Sequence, residues 1–191
     1  MSLTLATKVT IGRILLVPFF ISTVLYFSPD PDRQYLRWLA LALFLTAVVS
    51  DVIDGYIARV YHQKSTAGAI LDPLADKALL ISAFICLYIR RGSFEEFAFP
   101  LWFVVAIISR DLILIIGAMI IQLATGKLEI EANRSGKTTA FLQVVCILGM
   151  LLQWSFTKVF WYAAIVATLI SGVIYIKEGI KLINEHGSSH R

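Results

Sequence analysis

Six long apolar stretches occupy most of this chain and limit what it can fold into. Each is about 18–25 residues long, the length that a helix needs to cross the hydrocarbon core of a bilayer. We therefore predict an all-α integral membrane protein with six transmembrane helices. The predicted spans are Thr10–Phe27, Tyr35–Val60, Ala67–Ile89, Phe97–Ala124, Lys137–Trp154 and Val159–Ile183.

The composition agrees with a membrane protein and excludes several other classes. The 191 residues are 58% hydrophobic and 16% charged, whereas a soluble domain carries about 25% charged residues. The net charge of +4 does not point to nucleic acid, because the Lys and Arg residues lie at the ends of the spans. Cys86 and Cys146 each lie inside an apolar span and give no disulfide framework. We expect one membrane domain over residues 1–185, a polar tail at 186–191 and a short interfacial helix at Leu3–Val9.

Basic residues are distributed unevenly between the two ends of the spans. Nine fall on one side and five on the other, and the richer side faces the cytoplasm by the positive-inside rule. This predicts a multi-pass protein of the inner or plasma membrane with both termini in the cytoplasm. The nine are Lys8, Arg13, Arg59, Lys64, Lys127, Arg134, Lys137, Lys177 and Lys181, and the five are Arg33, Arg37, Arg90, Arg91 and Lys158.

Four aspartates stand at the ends of the second and third spans, where an unpaired carboxylate is costly. They are Asp51, Asp54, Asp72 and Asp76. At 100° per residue, the first two share one face of their helix and the second two share one face of theirs. A connection of about eight residues makes the two helices antiparallel neighbours. We therefore expect the two acidic faces to meet near the cytoplasmic boundary.

Four carboxylates in a half-buried site repel one another unless a cation lies between them. Carboxylate oxygens with no His or Cys nearby favour Mg²⁺, Mn²⁺ or Ca²⁺ over Zn²⁺, and two such ions support displacement at phosphorus. Gly55 and Ala58 leave room for a diphosphate or a base, and the Arg59 guanidinium suits phosphate oxygens. A plainer interpretation is that the aspartates are helix caps and surface charges. It explains any one of them, but it does not explain why all four occur at this spacing beside Gly55, Ala58 and Arg59.

The pattern Asp-x2-Asp-Gly-x2-Ala-Arg-x8-Gly-x3-Asp-x3-Asp, from Asp51 to Asp76, resembles the signature of the CDP-alcohol phosphotransferases without a mismatch. The resemblance implies a membrane enzyme, often a homodimer, that joins an acceptor hydroxyl to the β-phosphorus of CDP-diacylglycerol and releases CMP. It implies that the four aspartates share two divalent ions, Mg²⁺ or Mn²⁺, and that Asp76 acts as the base toward the acceptor. The CDP-binding residues that it implies are Asp51, Gly55, Ala58, Arg59, Gly68 and Asp72.

A second set of basic residues, Arg110, Arg134 and Lys137, lies apart from the motif and bears on the acceptor. One interpretation makes Arg110 and Asp111 a structural ion pair and leaves the other two as interfacial side chains. The other interpretation has all three basic side chains converge on an anionic acceptor, most simply a phosphate. A phosphate-bearing acceptor fits glycerol 3-phosphate.

Other segments bear on the acceptor without deciding it. Thr7–Arg13 and Gly136–Gln143 look like the same segments of bacterial phosphatidylglycerophosphate synthases, so we favour glycerol 3-phosphate. Ala6, where Pro is usual, and Asp111, where many have Glu, depart from that pattern. The form Ser109–Asp111 also resembles the CMP-forming cardiolipin synthases, whose acceptor is phosphatidylglycerol. An inositol phosphate acceptor is a weaker third choice.

Two other classes of protein carry similar residues. A divalent-cation transporter also has intramembrane carboxylates, but these aspartates lie at one membrane face. A bare cation also has no use for Gly55, Ala58 and Arg59. A non-catalytic protein that binds a CDP-lipid has no need to keep all four carboxylates. We therefore expect an enzyme with no nucleic-acid partner, embedded in a lipid bilayer.

Overall fold

The computed structural model describes the backbone of residues 5–60, 66–125 and 134–188, and the side chains of residues 11–53, 77–94, 96–117, 136–175 and 177. The described backbone forms six α-helices and no β-strand, which confirms the predicted all-α class. The helices are α1 Leu5–Tyr26, α2 Tyr35–Val60, α3 Thr66–Ile89, α4 Leu101–Thr125, α5 Arg134–Leu152 and α6 Thr157–Ser188. Short 3-10 turns lie at Pro31–Arg33, Arg91–Ser93 and Glu95–Phe97.

The first and last helices extend beyond their predicted spans. Residues 5–9, expected in a separate interfacial helix, are the first turns of α1. No Gly or Pro separates them from the apolar run that follows, so the helix continues without a break. At the other end, α6 continues to Ser188, into the segment predicted as a polar tail. Residues 1–4 and 189–191 lie outside the described residues.

The fourth helix begins later than its apolar run. The sequence predicts a span from Phe97, whereas α4 begins at Leu101, directly after Pro100. Proline lacks a backbone N–H and its ring excludes the preceding turn of a helix, so it is tolerated at the start of a helix and not within it. The residues before it form the 3-10 turn Glu95–Phe97 instead.

The chain divides into two compact units. The first comprises Met1–Phe99 with Ile147–Trp154, and the second comprises Pro100–Cys146 with Ser155–Arg191. In the first unit α2 and α3 both pack against α1, and in the second α4 packs against α6. The single membrane domain expected over residues 1–185 stays a prediction.

Aromatic side chains form much of the core of the first unit. The rings of Phe20 on α1 and Phe44 on α2 lie 5.7 Å apart, and those of Phe27 and Phe94 lie 5.0 Å apart. All four side chains are buried. Aromatic pairs at such distances add to the packing of the apolar surface that they bury. The Phe20–Phe44 pair holds α1 against α2, and the Phe27–Phe94 pair packs the segment after α1 against the turn that follows α3.

The second unit is organised around the pair α4 and α6. Phe103 packs against Trp161 with ring centroids 6.1 Å apart. Further along both helices, Tyr175 lies over Gly117, where an added Cβ would meet its ring at 3.0 Å. The residue numbers of the contacts rise together along the two helices, so α4 and α6 run parallel. A Cβ at residue 117 would make a tight contact, so the Tyr175 ring would have to move by a few tenths of an ångström to accept it.

Large apolar side chains cover much of the outer surface, which suits a lipid environment better than water. Those more than half exposed include Leu15, Phe19, Phe141, Phe156, Val159 and Leu169. Among the described residues, Pro31–Ile53 and Thr157–Tyr175 are long and apolar enough to cross a membrane. Three shorter apolar helical segments are Ile11–Tyr26, Lys77–Ile89 and Gly136–Leu152.

Candidate active site

The first aspartate of the motif makes an ion pair with α1. Arg13 is buried, and its Nη1 donates a hydrogen bond to Oδ1 of Asp51 on α2. The side chain of Asp51 is 42% exposed, whereas that of Arg13 is 1% exposed. A charge-assisted hydrogen bond of this kind fixes the orientation of a carboxylate. Asp51 therefore keeps part of its surface accessible to a ligand while one of its oxygens is held.

Two contacts establish the relative direction of α1 and α2. Arg13 meets Asp51, and Phe20, later on α1, meets Phe44, earlier on α2. The order of the contacts is reversed between the two helices, so the helices are antiparallel. At 1.5 Å per residue, Arg13 and Asp51 lie about 12–14 Å from the start of α1 and the end of α2 respectively. Those two helix ends therefore lie on the same side of the first unit.

The other three aspartates lie near the facing ends of α2 and α3. Asp54 is in the last two turns of α2, and Asp72 and Asp76 are in the first turns of α3. The helices are separated by residues 61–65, which lie outside the described residues and are fewer than the eight predicted. Along the helix axes, Asp54 and Asp72 lie about 9 Å from these ends, and Asp51 and Asp76 about 14–15 Å. All four positions thus lie within about three turns of the two helix ends that residues 61–65 connect.

The predicted CDP-binding residues occupy the same helix ends. Gly55, Ala58 and Arg59 follow on α2, and Gly68 is in the first turn of α3. Because α2 is continuous to Val60, the helical spacing assumed for this face from the sequence holds along the backbone. The side chains of residues 54–76 lie outside the described side chains.

The donor set at these helix ends suits a hard divalent cation. All four candidate ligands are carboxylates, which Mg²⁺ and Mn²⁺ prefer over imidazole or thiolate. Of the four, Asp51 belongs to the residues whose side chains are described, and its partly exposed carboxylate is able to take a metal beside Arg13. Within those described side chains, no group of three or more His, Cys, Asp or Glu is placed to hold a metal ion.

Arg110 and Asp111 form a buried ion pair on α4, with Nη1 of Arg110 2.8 Å from Oδ1 of Asp111. Nη2 of Arg110 donates a hydrogen bond to Oγ of Ser171 on α6. Nε2 of Gln143 on α5 donates to Oδ2 of Asp111 at 3.3 Å. The ion pair named by one of the two sequence interpretations is therefore present, and three helices contribute to it.

The two other basic residues lie at the start of α5. Arg134 is the first residue of that helix, and Lys137 is an exposed residue of its first turn. The N-terminus of a helix carries partial positive charge, which adds to that of the two side chains in attracting an anion. Gln143, the α5 partner of Asp111, lies about 9 Å further along the helix than Lys137. Arg110, at the level of Gln143, is therefore set apart from Lys137 along α5, and the convergence of the three basic residues stays a prediction.

Sequence reasoning missed three residues that contact the predicted ones. Arg13 was used for the orientation of the protein and as part of the Thr7–Arg13 segment, but it was not predicted as the partner of Asp51. Gln143 and Ser171, polar residues inside apolar spans, hold the Asp111–Arg110 pair. A polar side chain within a membrane span is itself a signal of a buried partner. Its partner cannot be read from the sequence, because it lies on another helix.

Comparison with known proteins gives consistent matches over most of the chain. A family model described as CDP-alcohol phosphatidyltransferase matches residues 3–170. A "probable phosphatidylglycerophosphate synthase" of Mycobacterium tuberculosis (strain H37Rv) is 33% identical over 183 residues, covering 93% of this chain and 82% of the relative. The "CDP-diacylglycerol–glycerol-3-phosphate 3-phosphatidyltransferase" of Bacillus subtilis (strain 168) is 29% identical, covering 91% and 94%. A relative of the same description from Haemophilus influenzae is 30% identical, covering 87% and 84%.

Proposed function

Since the chain belongs to the CDP-alcohol phosphatidyltransferase family, we propose that it transfers the phosphatidyl group of CDP-diacylglycerol to glycerol 3-phosphate, giving phosphatidylglycerophosphate and CMP. The observation that carries this proposal is the complete motif from Asp51 to Asp76, which lies at the adjoining ends of α2 and α3. Relatives described by this reaction align with most of the chain, and they support glycerol 3-phosphate as the acceptor.

The four aspartates are the proposed ligands of two divalent ions, Mg²⁺ or Mn²⁺. They are Asp51, Asp54, Asp72 and Asp76, which lie in the last turns of α2 and the first turns of α3. When bound, the metals offset the charge of the diphosphate and stabilise CMP as it leaves. The proposed CDP site uses Asp51 and Asp72, the small residues Gly55, Ala58 and Gly68, and the guanidinium of Arg59.

Asp76 is the proposed base. It accepts the proton of the glycerol 3-phosphate hydroxyl while the hydroxyl oxygen forms a bond to the β-phosphorus. The bond from that phosphorus to the bridging oxygen breaks, and its electron pair leaves with CMP. A carboxylate is a weak base, but the hydroxyl becomes strongly acidic as its oxygen bonds to phosphorus, so proton transfer is favourable at that stage. The proton is then released to solvent.

Arg110, Arg134 and Lys137 are the proposed binding residues for the acceptor phosphate. Lys137 is exposed at the N-terminal turn of α5 and is able to bring net positive charge. The charge of Arg110 is offset by Asp111, so its contribution is directional hydrogen bonding.

The apolar outer surface and the family support association with a membrane. We further propose that all six helices cross it and that the motif faces the cytoplasm, where CMP and divalent ions are exchanged. A Ser135→Cys variant in which Cys86 and Cys146 are replaced tests this orientation. We expect a membrane-impermeant reagent to label the new cysteine only from the cytoplasmic side. A homodimer is also proposed, and the mass of the protein in detergent tests it.

The substrate assignment is tested by incubating the purified protein with CDP-diacylglycerol, Mn²⁺ and either glycerol 3-phosphate or phosphatidylglycerol. We expect mass spectrometry to detect phosphatidylglycerophosphate with the first acceptor and no new lipid with the second. Cardiolipin formed from phosphatidylglycerol, with no product from glycerol 3-phosphate, would instead establish the alternative acceptor. That alternative rests on the resemblance of Ser109–Asp111 to the cardiolipin synthases.

Arg13 gives a second test, because it donates a hydrogen bond to Asp51, the one proposed metal ligand whose side chain the structure describes. Replacing Arg13 with Met removes one charge-assisted hydrogen bond, so kcat/KM for CDP-diacylglycerol is expected to fall about tenfold or more. Arg13→Lys should restore part of the loss. Arg37, also buried on the first unit but stacked on Trp38 at 5.1 Å, provides the matched control Arg37→Met. Equal losses in Arg13→Met and Arg37→Met would mean that Arg13 serves folding alone.

A further inference from the structure

A buried polar cluster joins the three helices of the second unit. We call it the Arg110 cluster, and it consists of Arg110 and Asp111 on α4, Gln143 on α5 and Ser171 on α6. All four residues are buried, in a part of the chain whose outer surface is apolar. Polar groups in such a place are costly unless they are hydrogen bonded, and they commonly mark function in membrane proteins.

The contacts of the cluster fix the guanidinium of Arg110 from two sides. Asp111 follows Arg110 in the chain, and adjacent residues of a helix point about 100° apart. The side chain of Arg110 must therefore turn sideways to bring Nη1 within 2.8 Å of Asp111. Ser171 then accepts a hydrogen bond from Nη2, from the direction of α6. Gln143 in turn holds the second oxygen of Asp111.

Stability alone gives a weak reason for this arrangement. The desolvation of two buried charges offsets most or all of their attraction, and apolar residues of the same size often serve a core equally well. The same helices already pack through Phe103, Trp161 and Tyr175. An oriented arginine, in contrast, is something that an apolar replacement cannot supply.

The side chains of the cluster are all buried, and that of Arg110 is the most exposed of them. The Asp111 side chain is 1% exposed, and Gln143 is 0% exposed. The Arg110 side chain is 9% exposed, and its Nε makes no hydrogen bond to any described residue. A guanidinium has five N–H donors, and the buried Nε of Arg110 is a donor that no described contact uses.

We propose that Asp111, Gln143 and Ser171 are positioning residues, which orient Arg110 to hydrogen bond the phosphate of the acceptor. This inference rests on the proposed function, since it assumes that glycerol 3-phosphate is the acceptor. Asp111 does not touch the acceptor in this scheme. It restricts the guanidinium to one orientation, so that less conformational entropy is lost when the phosphate binds.

The proposal predicts an effect opposite to that of simple electrostatics. Asp111→Asn removes a negative charge beside the proposed phosphate site, which by charge alone should lower KM for glycerol 3-phosphate. Loss of orientation should instead raise that KM, by about tenfold for one charged hydrogen bond. KM for CDP-diacylglycerol should stay within twofold of the wild-type value.

Two more variants separate orientation from folding. Gln143→Met removes the bond to Asp111 without introducing a charge, and we expect KM for glycerol 3-phosphate to rise about threefold to tenfold. Thr168→Val, on a buried residue one turn before Ser171, is the matched control and should leave both KM values unchanged. If Asp111→Asn and Gln143→Met only lower Tm and the amount of active enzyme, with both KM values unchanged, the positioning role is wrong.

A double-mutant cycle decides whether the effect passes through Arg110. In an Arg110→Gln background, Asp111→Asn should raise KM for glycerol 3-phosphate no further. Equal increases in both backgrounds, or a lower KM in Asp111→Asn, would overturn the proposal. Failure of the proposed function would give a different result, because the wild-type protein would then form no phosphatidylglycerophosphate. Wild-type activity with an unaffected Asp111→Asn variant rejects the positioning role alone.

Discussion

Asp76→Asn is expected to lower the rate of CMP release from CDP-diacylglycerol by at least about a thousandfold, because it removes the proposed base and a metal ligand together. Asn is nearly the same size and removes a negative charge from a crowded acidic site, so folding should be retained. The rate is measured by chromatography of CMP at saturating Mn²⁺ and glycerol 3-phosphate. Raising Mn²⁺ further should not restore it, since the amide cannot take the proton.

Asp32→Asn provides the control for this substitution. Asp32 lies in the exposed turn Pro31–Arg33, outside the motif. Its variant should release CMP at the wild-type rate. An Asp76→Asn protein that keeps a tenth or more of the wild-type rate, with the same Tm, would contradict the assignment of Asp76 as the base.

Removal of divalent ions is expected to reduce CMP release to the background level, because the guanidinium of Arg59 alone does not offset the charge of the diphosphate and of the leaving CMP. Mg²⁺ or Mn²⁺ should restore the rate after the chelator is removed. Electron paramagnetic resonance of bound Mn²⁺ should count about two ions per chain, the number that four shared carboxylates support. Asp51→Asn should lower that number or weaken the binding.

Two outcomes would contradict the metal assignment. Full activity in chelator would show that the aspartates act without a cation. Uptake of Mn²⁺ into liposomes without CMP release would support the divalent-cation transporter that the sequence analysis disfavoured. Asp51→Asn provides a readout besides activity, because Mn²⁺ binding is measured without substrate.

The helices were predictable because apolar length and helix breakers act locally. Tyr35–Val60 and the ends of α3 and α5 follow the apolar runs closely. The start of α4 was wrong by a turn because hydropathy takes no account of the missing N–H of Pro100. The connection between α2 and α3 was also shorter than the motif spacing suggests, since the helices continue to Val60 and resume at Thr66.

The candidate site was predictable only where its signal is contained in one segment. The motif from Asp51 to Asp76 is such a signal, because residue type and helical spacing together predict a metal site. Arg13 contacts Asp51 across 38 residues, and Ser171 contacts Arg110 across 61. Contacts of this kind depend on how helices pack, and no periodicity within one helix encodes them.

The central claim is a coupled transfer, and counting both products of one reaction tests it most directly. Purified protein is incubated with CDP-diacylglycerol and Mn²⁺, and CMP and phosphatidylglycerophosphate are quantified from the same samples. We expect equal molar amounts that appear only when glycerol 3-phosphate is present and that are lost together in Asp76→Asn. CMP released at the same rate without glycerol 3-phosphate, or no CMP at all, would contradict the account.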